Sequence, residues 1–276
     1  MINKIQEVQS IIDTSPKYKD CLLLPIGLTD GKCNDLMFSC RGKLPSNNAY
    51  IVYSDQGIHE ENFLTGLLIN ACRKYNPNEL CISYYNCSTN KDIPYFIDEL
   101  PNIKSIKTLI SKDTFNIEID LLSKIFDERI EKILKFNDCF ARAVRDKEHP
   151  LIGMPQEVLI FNMDRDVFEW FSREQKFNSF ITQTLWRVGI YPILIVDYWF
   201  HYFPFRSHYG SEFYLYPICN RISRDLELSN NQAFMHICED SWCWGSERKE
   251  VIDIPYYTED WVRESIAQIR DNIRNG

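Results

Sequence analysis

Ala49-Tyr-Ile-Val-Tyr53 runs into Ser54-Asp-Gln-Gly57-Ile-His-Glu-Glu61, and Phe63, Leu67, Leu68, Ala71 and Cys72 then recur at helical spacing. The first five residues are the bulky and β-branched types that favour a buried strand, and the polar loop after them contains a glycine. The helix runs until Asn76-Pro77 stops it. Working outward, Cys21-Leu-Leu-Leu-Pro-Ile-Gly27 reads as a short buried strand, Thr29-Asp-Gly31 as a turn and Leu36-Met-Phe38 as a second strand. Downstream, Leu80 to Tyr85, Glu157 to Asn162 and Ile190 to Val196 read as strands. Between them, Phe115 to Phe140 carries Ile119, Leu122, Ile125, Phe126, Ile130, Ile133 and Leu134 on one face, and Phe177 to Val188 reads as a further helix. Strand and helix in alternation predict an α/β fold, a parallel sheet with helices on its faces.

The region before this pattern holds one more helix, Ile2 to Ile12, which stops at Asp13-Thr-Ser-Pro16. The expected organisation is a lead-in over residues 1–20 and a single α/β domain over residues 21–276. The chain has 276 residues, 45% hydrophobic and 25% charged, ordinary values that exclude a disordered or collagen-like chain. It carries 31 basic against 39 acidic residues, a net charge of −8. A protein that neutralises many phosphates normally carries the opposite sign, so nucleic-acid binding is not favoured. Met1 to Ser10 shows no apolar core and no cleavage site, so no secretory signal is expected. The longest apolar runs, such as Ile190 to Val196, fall far short of a membrane span. The ten cysteines include no Cys-x-x-Cys pair and are expected to be reduced, mostly buried thiols in a cytoplasmic protein.

A strand, loop and helix at residues 49–72 stand where a phosphate-binding loop stands in a P-loop protein. Leu24-Pro-Ile-Gly-Leu-Thr-Asp-Gly31 resembles the lead-in of the FtsK/SpoIIIE/HerA motors, which include the tandem ATPase domains of type VII secretion motors such as EssC. Asp127-Glu-Arg-Ile-Glu-Lys132, Leu185-Trp-Arg-Val-Gly-Ile-Tyr191 and Arg221-Ile-Ser-Arg-Asp-Leu-Glu-Leu-Ser229 are similar to three later segments of that family, in order. Gln232 to Cys238 resembles its closing strand, and Thr258-Glu-Asp-Trp-Val-Arg-Glu-Ser-Ile266 its final helix. The resemblance runs from about Leu22 to Ile269 and implies a RecA-like P-loop three-layer sandwich, with a mostly parallel central sheet and helices on both faces.

The same resemblance marks what is missing. The family's Gly-x-x-x-x-Gly-Lys-Ser/Thr loop falls on Ser54, Asp55, Gln56, Gly57, Ile58, His59, Glu60 and Glu61. Ser54 and His59 replace the two glycines; Glu60 stands at the lysine position and Glu61 at the Mg²⁺-ligating hydroxyl. Reversing one unit charge at about 4 Å from a polyphosphate shifts the interaction by several kcal/mol at an effective dielectric near 20. The family's second motif, an apolar strand ending in Asp-Glu, falls on Val158 to Phe161 followed by Asn162 and Met163, and methionine cannot act as a base. Asp164 would offer a carboxylate only in a slipped register. The family's Thr-Gln-Arg-Pro after the next strand falls on Val196-Asp-Tyr-Trp199, which lacks that polar sensor. No catalytic residue and no cofactor are therefore expected. A second reading makes Glu60 and Glu61 ordinary helix-N-terminal acids favoured by the dipole, without any phosphate role.

Other clusters carry weaker signals. Asp197, His201, His208, His236, Cys238 and Cys243 look at first like metal ligands, but Cys238-x-x-x-x-Cys243 matches no common zinc spacing, and no metal is expected. Tyr198, Trp199, Phe200, Tyr202, Phe203 and Phe205 form a dense aromatic run, read either as an interaction patch or as internal cover for a sheet edge. Lys104, Lys107, Lys112, Arg142, Arg145 and Lys147, with acids between them, read as a solvated face. The resemblance implies a motor scaffold without its engine, an interaction or assembly subunit whose partners are proteins: an active FtsK/HerA-type ATPase or a second copy of the chain. The alternative is an α/β enzyme whose site, around Asp164, Asp166 or the Asp197/His201/His208 region, is unrelated to the loop.

Overall fold

The computed structural model describes residues 11–12, 21–39, 49–54, 57–136, 140–181, 183, 185–197, 211–215, 229, 231–238 and 247–275. Its strands are β1 (Cys21–Thr29), β2 (Lys32–Ser39), β3 (Tyr50–Tyr53), β4 (Leu80–Cys87), β5 (Ile103–Thr108), β6 (Gln156–Met163), β7 (Ile190–Val196), β8 (Ser211–Tyr214), β9 (Gln232–Cys238) and β10 (Glu247–Asp253). The helices used below are α1 (Ile58–Lys74), α2 (Lys112–Lys135), α3 (Phe140–Ala143), α4 (Arg165–Phe171), α5 (Gln175–Ile181) and α6 (Glu259–Asn275).

All ten strands join one sheet in the order β2-β1-β10-β9-β8-β3-β7-β6-β4-β5. From β8 to β5 every pairing is parallel. From β8 through β9, β10 and β1 to β2 every pairing is antiparallel. The parallel strands β3, β6 and β7 are buried along almost their full length, as strands covered on both faces must be.

Strand alternation sends successive side chains to opposite layers. Tyr50 and Val52 of β3, with Ile193 and Ile195 of β7, meet Phe63, Leu67 and Leu68 of α1 and Val262, Ile266 and Ile269 of α6. Ile51, Tyr53, Leu194 and Val196 point the other way, toward Phe115, Ile119 and Leu122 of α2 and toward Phe171 and Phe177 of α4 and α5. The expected sandwich of helix, sheet and helix is therefore present, and β3, β4, β6 and β7 of its parallel part are expected strands.

Some boundaries and elements differ from expectation. The helix expected through Phe140 ends at Lys135, where Phe136 caps it. The helix expected from Phe177 to Val188 stops at Ile181, and Leu185–Val188 is a 3₁₀ turn that ends at Gly189, φ 72°. A left-handed residue there breaks the helix and turns the chain into β7. β5, β8, β10 and α4 were not expected. β5 (Ile-Lys-Ser-Ile-Lys-Thr) closes one edge of the sheet, where its lysines reach solvent.

Candidate functional site

The register of the parallel strands levels their C-terminal ends. Tyr53 pairs with Val196, Val196 with Met163, and Met163 with Cys87. The residues one step beyond, Ser54, Asp197, Asp164 and Ser88, therefore emerge side by side at the edge where open α/β sheets bind ligands. Ser54 N–H donates to Val196 O at 2.9 Å, which holds the first residue after β3 against β7.

Gly57, φ 92°, turns the chain into α1. Glu60 and Glu61 lie in the first turn, where the helix dipole favours acids. Their fates differ. Glu61 faces outward, whereas Glu60 is 5% exposed and its carboxylate accepts from the Ser54 hydroxyl. The same carboxylate lies 2.9 Å from Lys91 Nζ. Lys91 Nζ also donates to Asn162 Oδ1 at 2.8 Å and forms an ion pair with Asp197. All three charged side chains are 6–7% exposed. One ammonium thus holds two buried carboxylates together, and Asn162 Nδ2 extends the chain to Tyr84 Oη at 3.0 Å. Burial, with the neighbouring Glu60 charge, pushes the Tyr84 phenol far above its ordinary range, opposed by the Asn162 bond.

Lys91 is aimed by the turn that precedes it. Asp164 accepts from Ser88 Oγ at 2.5 Å and from Thr89 N–H at 3.0 Å, while Ser88 Oγ accepts from the N–H groups of Asn90 and Lys91. Asn86 closes the turn by donating to Lys91 O at 3.0 Å. Asp164 is therefore a positioning residue for the β4–β5 turn. An open cleft of about 810 Å³ lies above this network, between the start of α1 and the turn that carries Lys91.

Of the residues expected at a site, Ser54, Gly57, Glu60, Asn162, Asp164 and Asp197 come together. Met163 packs in the core beneath them, and Asp166 lies exposed on α4. Asp55 and Gln56 lie outside the described residues, as do the aromatic run Tyr198 to Phe205, His201, His208 and Cys243. Among the described residues no group of three or more His, Cys, Asp or Glu could hold a metal ion. No helix of the described residues is long and apolar enough to cross a membrane. Lys104 and Lys107 are not simply solvated: they bridge to buried Glu157 and Glu118 at 2.7 and 2.6 Å. Sequence reasoning missed Lys91 altogether. Its one legible signal is a lysine four residues past a buried strand, on the turn beside the loop after β3.

No protein-family model matches the chain, and no curated protein matches it in sequence. Solved structures do. EssC (ATPases 2 and 3) from Geobacillus thermodenitrificans is similar over 95% of this chain, with a TM-score of 0.64 and 12% identity. The cytoplasmic domain of the Thermomonospora curvata type VII secretion ATPase EccC is similar over 92%, with a TM-score of 0.69 and 15% identity. The pCW3 conjugation coupling protein TcpA, with ATPγS, gives 0.62 and 9% over 92% of this chain. The chain spans 53%, 32% and 72% of those three chains. Likeness at such low identity concerns the fold: this chain has the RecA-like P-loop ATPase fold of those structures.

Proposed function

We propose that the chain is a pseudo-ATPase domain, an FtsK/HerA-like scaffold that serves as a binding, assembly or regulatory subunit of a DNA-translocation or protein-secretion motor. One observation carries this reading: Glu60, at the position read as the lysine of a P-loop, is buried in an ion-pair network with Lys91 and Asp197 at the C-terminal edge of the parallel strands. In a working P-loop a lysine on the helix reaches the phosphates and a hydroxyl holds Mg²⁺. Here the helix supplies Glu60 and Glu61, and the nearby lysine is already held by two carboxylates and an amide oxygen. A triphosphate would have to break those contacts and approach carboxylates that repel it. Asn162 and Met163, at the end of β6, provide neither a metal-holding carboxylate nor a base for the attacking water.

Loss of the engine leaves the fold's surfaces for other uses. Two proteins of similar fold are named as a type VII secretion ATPase and a conjugation coupling protein, which supports a protein partner such as an active motor subunit or a second copy of this chain. A net charge of −8 argues against DNA as the partner. One similar structure is named as a cytoplasmic domain, in keeping with a cytoplasmic setting. The enzymatic alternative gains nothing from Asp164, whose carboxylate is engaged by the Ser88–Thr89 turn.

Calorimetric titration of the purified chain with Mg–ATP, together with a phosphate-release assay, tests the reading. It predicts neither binding heat nor turnover. Micromolar binding with hydrolysis would overturn it.

A further inference from the structure

We propose that the cleft above the Lys91 network receives a lysine- or arginine-bearing segment of a protein partner. This deepens the reading above and rests on it for a cleft not taken by polyphosphate. The lining carries three carboxylates, Glu60, Glu61 and Asp92, against the single ammonium of Lys91, a net charge of −2. Lys91 is consumed by Glu60 and Asp197. Glu61 and Asp92 are exposed, and neither side chain makes an ion pair with a described residue. They present unneutralised charge on the two sides of the cleft, one from α1 and one from the β4–β5 connection.

The remaining walls suit the rest of such a side chain. Leu64, Ile93 and Pro94 give the cleft apolar surface for an aliphatic stem, and Tyr95 stands 56% exposed on its rim. A cation over a tyrosine face is attracted by the ring quadrupole, and long basic side chains bury their stems while their heads find charge. Partial burial, and after it Glu259 and then Glu61 against the opposing Arg263, raise the Tyr95 phenol, so this ring feels the charge of Glu61. Among the described residues, Arg263, whose charge acts on Tyr95, is already paired with Glu259 at 3.3 Å. Carboxylates, an aromatic face and apolar walls, with no cation among the described lining residues beyond Lys91, are complementary to a guanidinium or ammonium on an alkyl stem. They are the wrong chemistry for phosphate or nucleic acid.

A positional-scanning hexapeptide array, probed with the full chain at low ionic strength, tests this. We expect arginine and lysine positions to bind at least about tenfold better than citrulline and norleucine positions, roughly 1.4 kcal/mol. We expect Glu61→Gln/Asp92→Asn to abolish that preference and Tyr95→Ala to weaken it. Both acids are exposed, and a thermal melt confirms that the variants fold. No preference for cationic residues, or an unchanged preference in the double variant, would overturn the inference. Mg–ATP binding in a parallel titration would instead overturn the preceding reading.

Discussion

Lys91, on the turn after β4, reaches across two strands to place its Nζ 2.9 Å from the carboxylate of Glu60 on α1. The contact ties the start of the helix to the far side of the sheet. Because Asp197 shares the same ammonium, removing Lys91 withdraws a counter-charge from two buried acids at once.

Lys91→Met should therefore destabilise the protein by about 3–5 kcal/mol, the usual cost of breaking a buried ion pair from one side. Urea unfolding measures it. The triple variant Glu60→Gln/Lys91→Met/Asp197→Asn should recover most of the loss, since neutral groups of similar size leave no charge stranded. A triple variant no more stable than Lys91→Met would show that packing, not charge, is what Lys91 provides.

Gly189 has φ 72°, and a Cβ there would lie 2.3 Å from Phe140 Cε1. Gly189→Ala should cost at least about 2 kcal/mol through backbone strain and overlap together. In a double-mutant cycle with Phe140→Ala the two losses should be less than additive, because loss of the ring removes the overlap. Strict additivity would assign the whole cost to the backbone.

Cys81 is only partly buried, yet desolvation, with Glu157 adding to it and Lys104 and Arg129 opposing, pushes its thiol up to about 11 from the ordinary 9.0. Its alkylation by iodoacetamide, followed by peptide mapping, should keep accelerating with pH until about 11. Because the folded thiol holds its proton more tightly than the unfolded one, Cys81 lowers stability as pH rises from 9.0 through about 11. Cys81→Ser should remove that part of the alkaline slope.

Much of the parallel core was legible because burial on both faces writes continuous apolar runs such as Ile190 to Val196, and amphipathic helices write a 3.6 period. Among the antiparallel and edge strands, the apolar β1, β2 and β9 were legible from Cys21 to Gly27, Leu36 to Phe38 and Gln232 to Cys238, whereas β5 and β10 were not. Glu247-Arg-Lys-Glu-Val-Ile-Asp253 is mostly charged and forms β10 because backbone pairing to β9 requires no apolar pattern. The site was half legible. Glu60 and Asn162 stand out against a phosphate-binding pattern, but whether Glu60 points to solvent or inward depends on its partner. That partner, Lys91, is 31 residues away on a turn shaped by Asp164, and no local spacing announces it. Glu61, next in sequence, behaves as the plain helix-N-terminal acid that the second reading expected of both.

The most direct test is a crystal structure of the chain grown with Mg–ATPγS. The account predicts that Lys91 stays between Glu60, Asp197 and Asn162, with no phosphate between Tyr53 and Glu61. A triphosphate held by the backbone of that loop, with Lys91 swung away from Glu60, would contradict it.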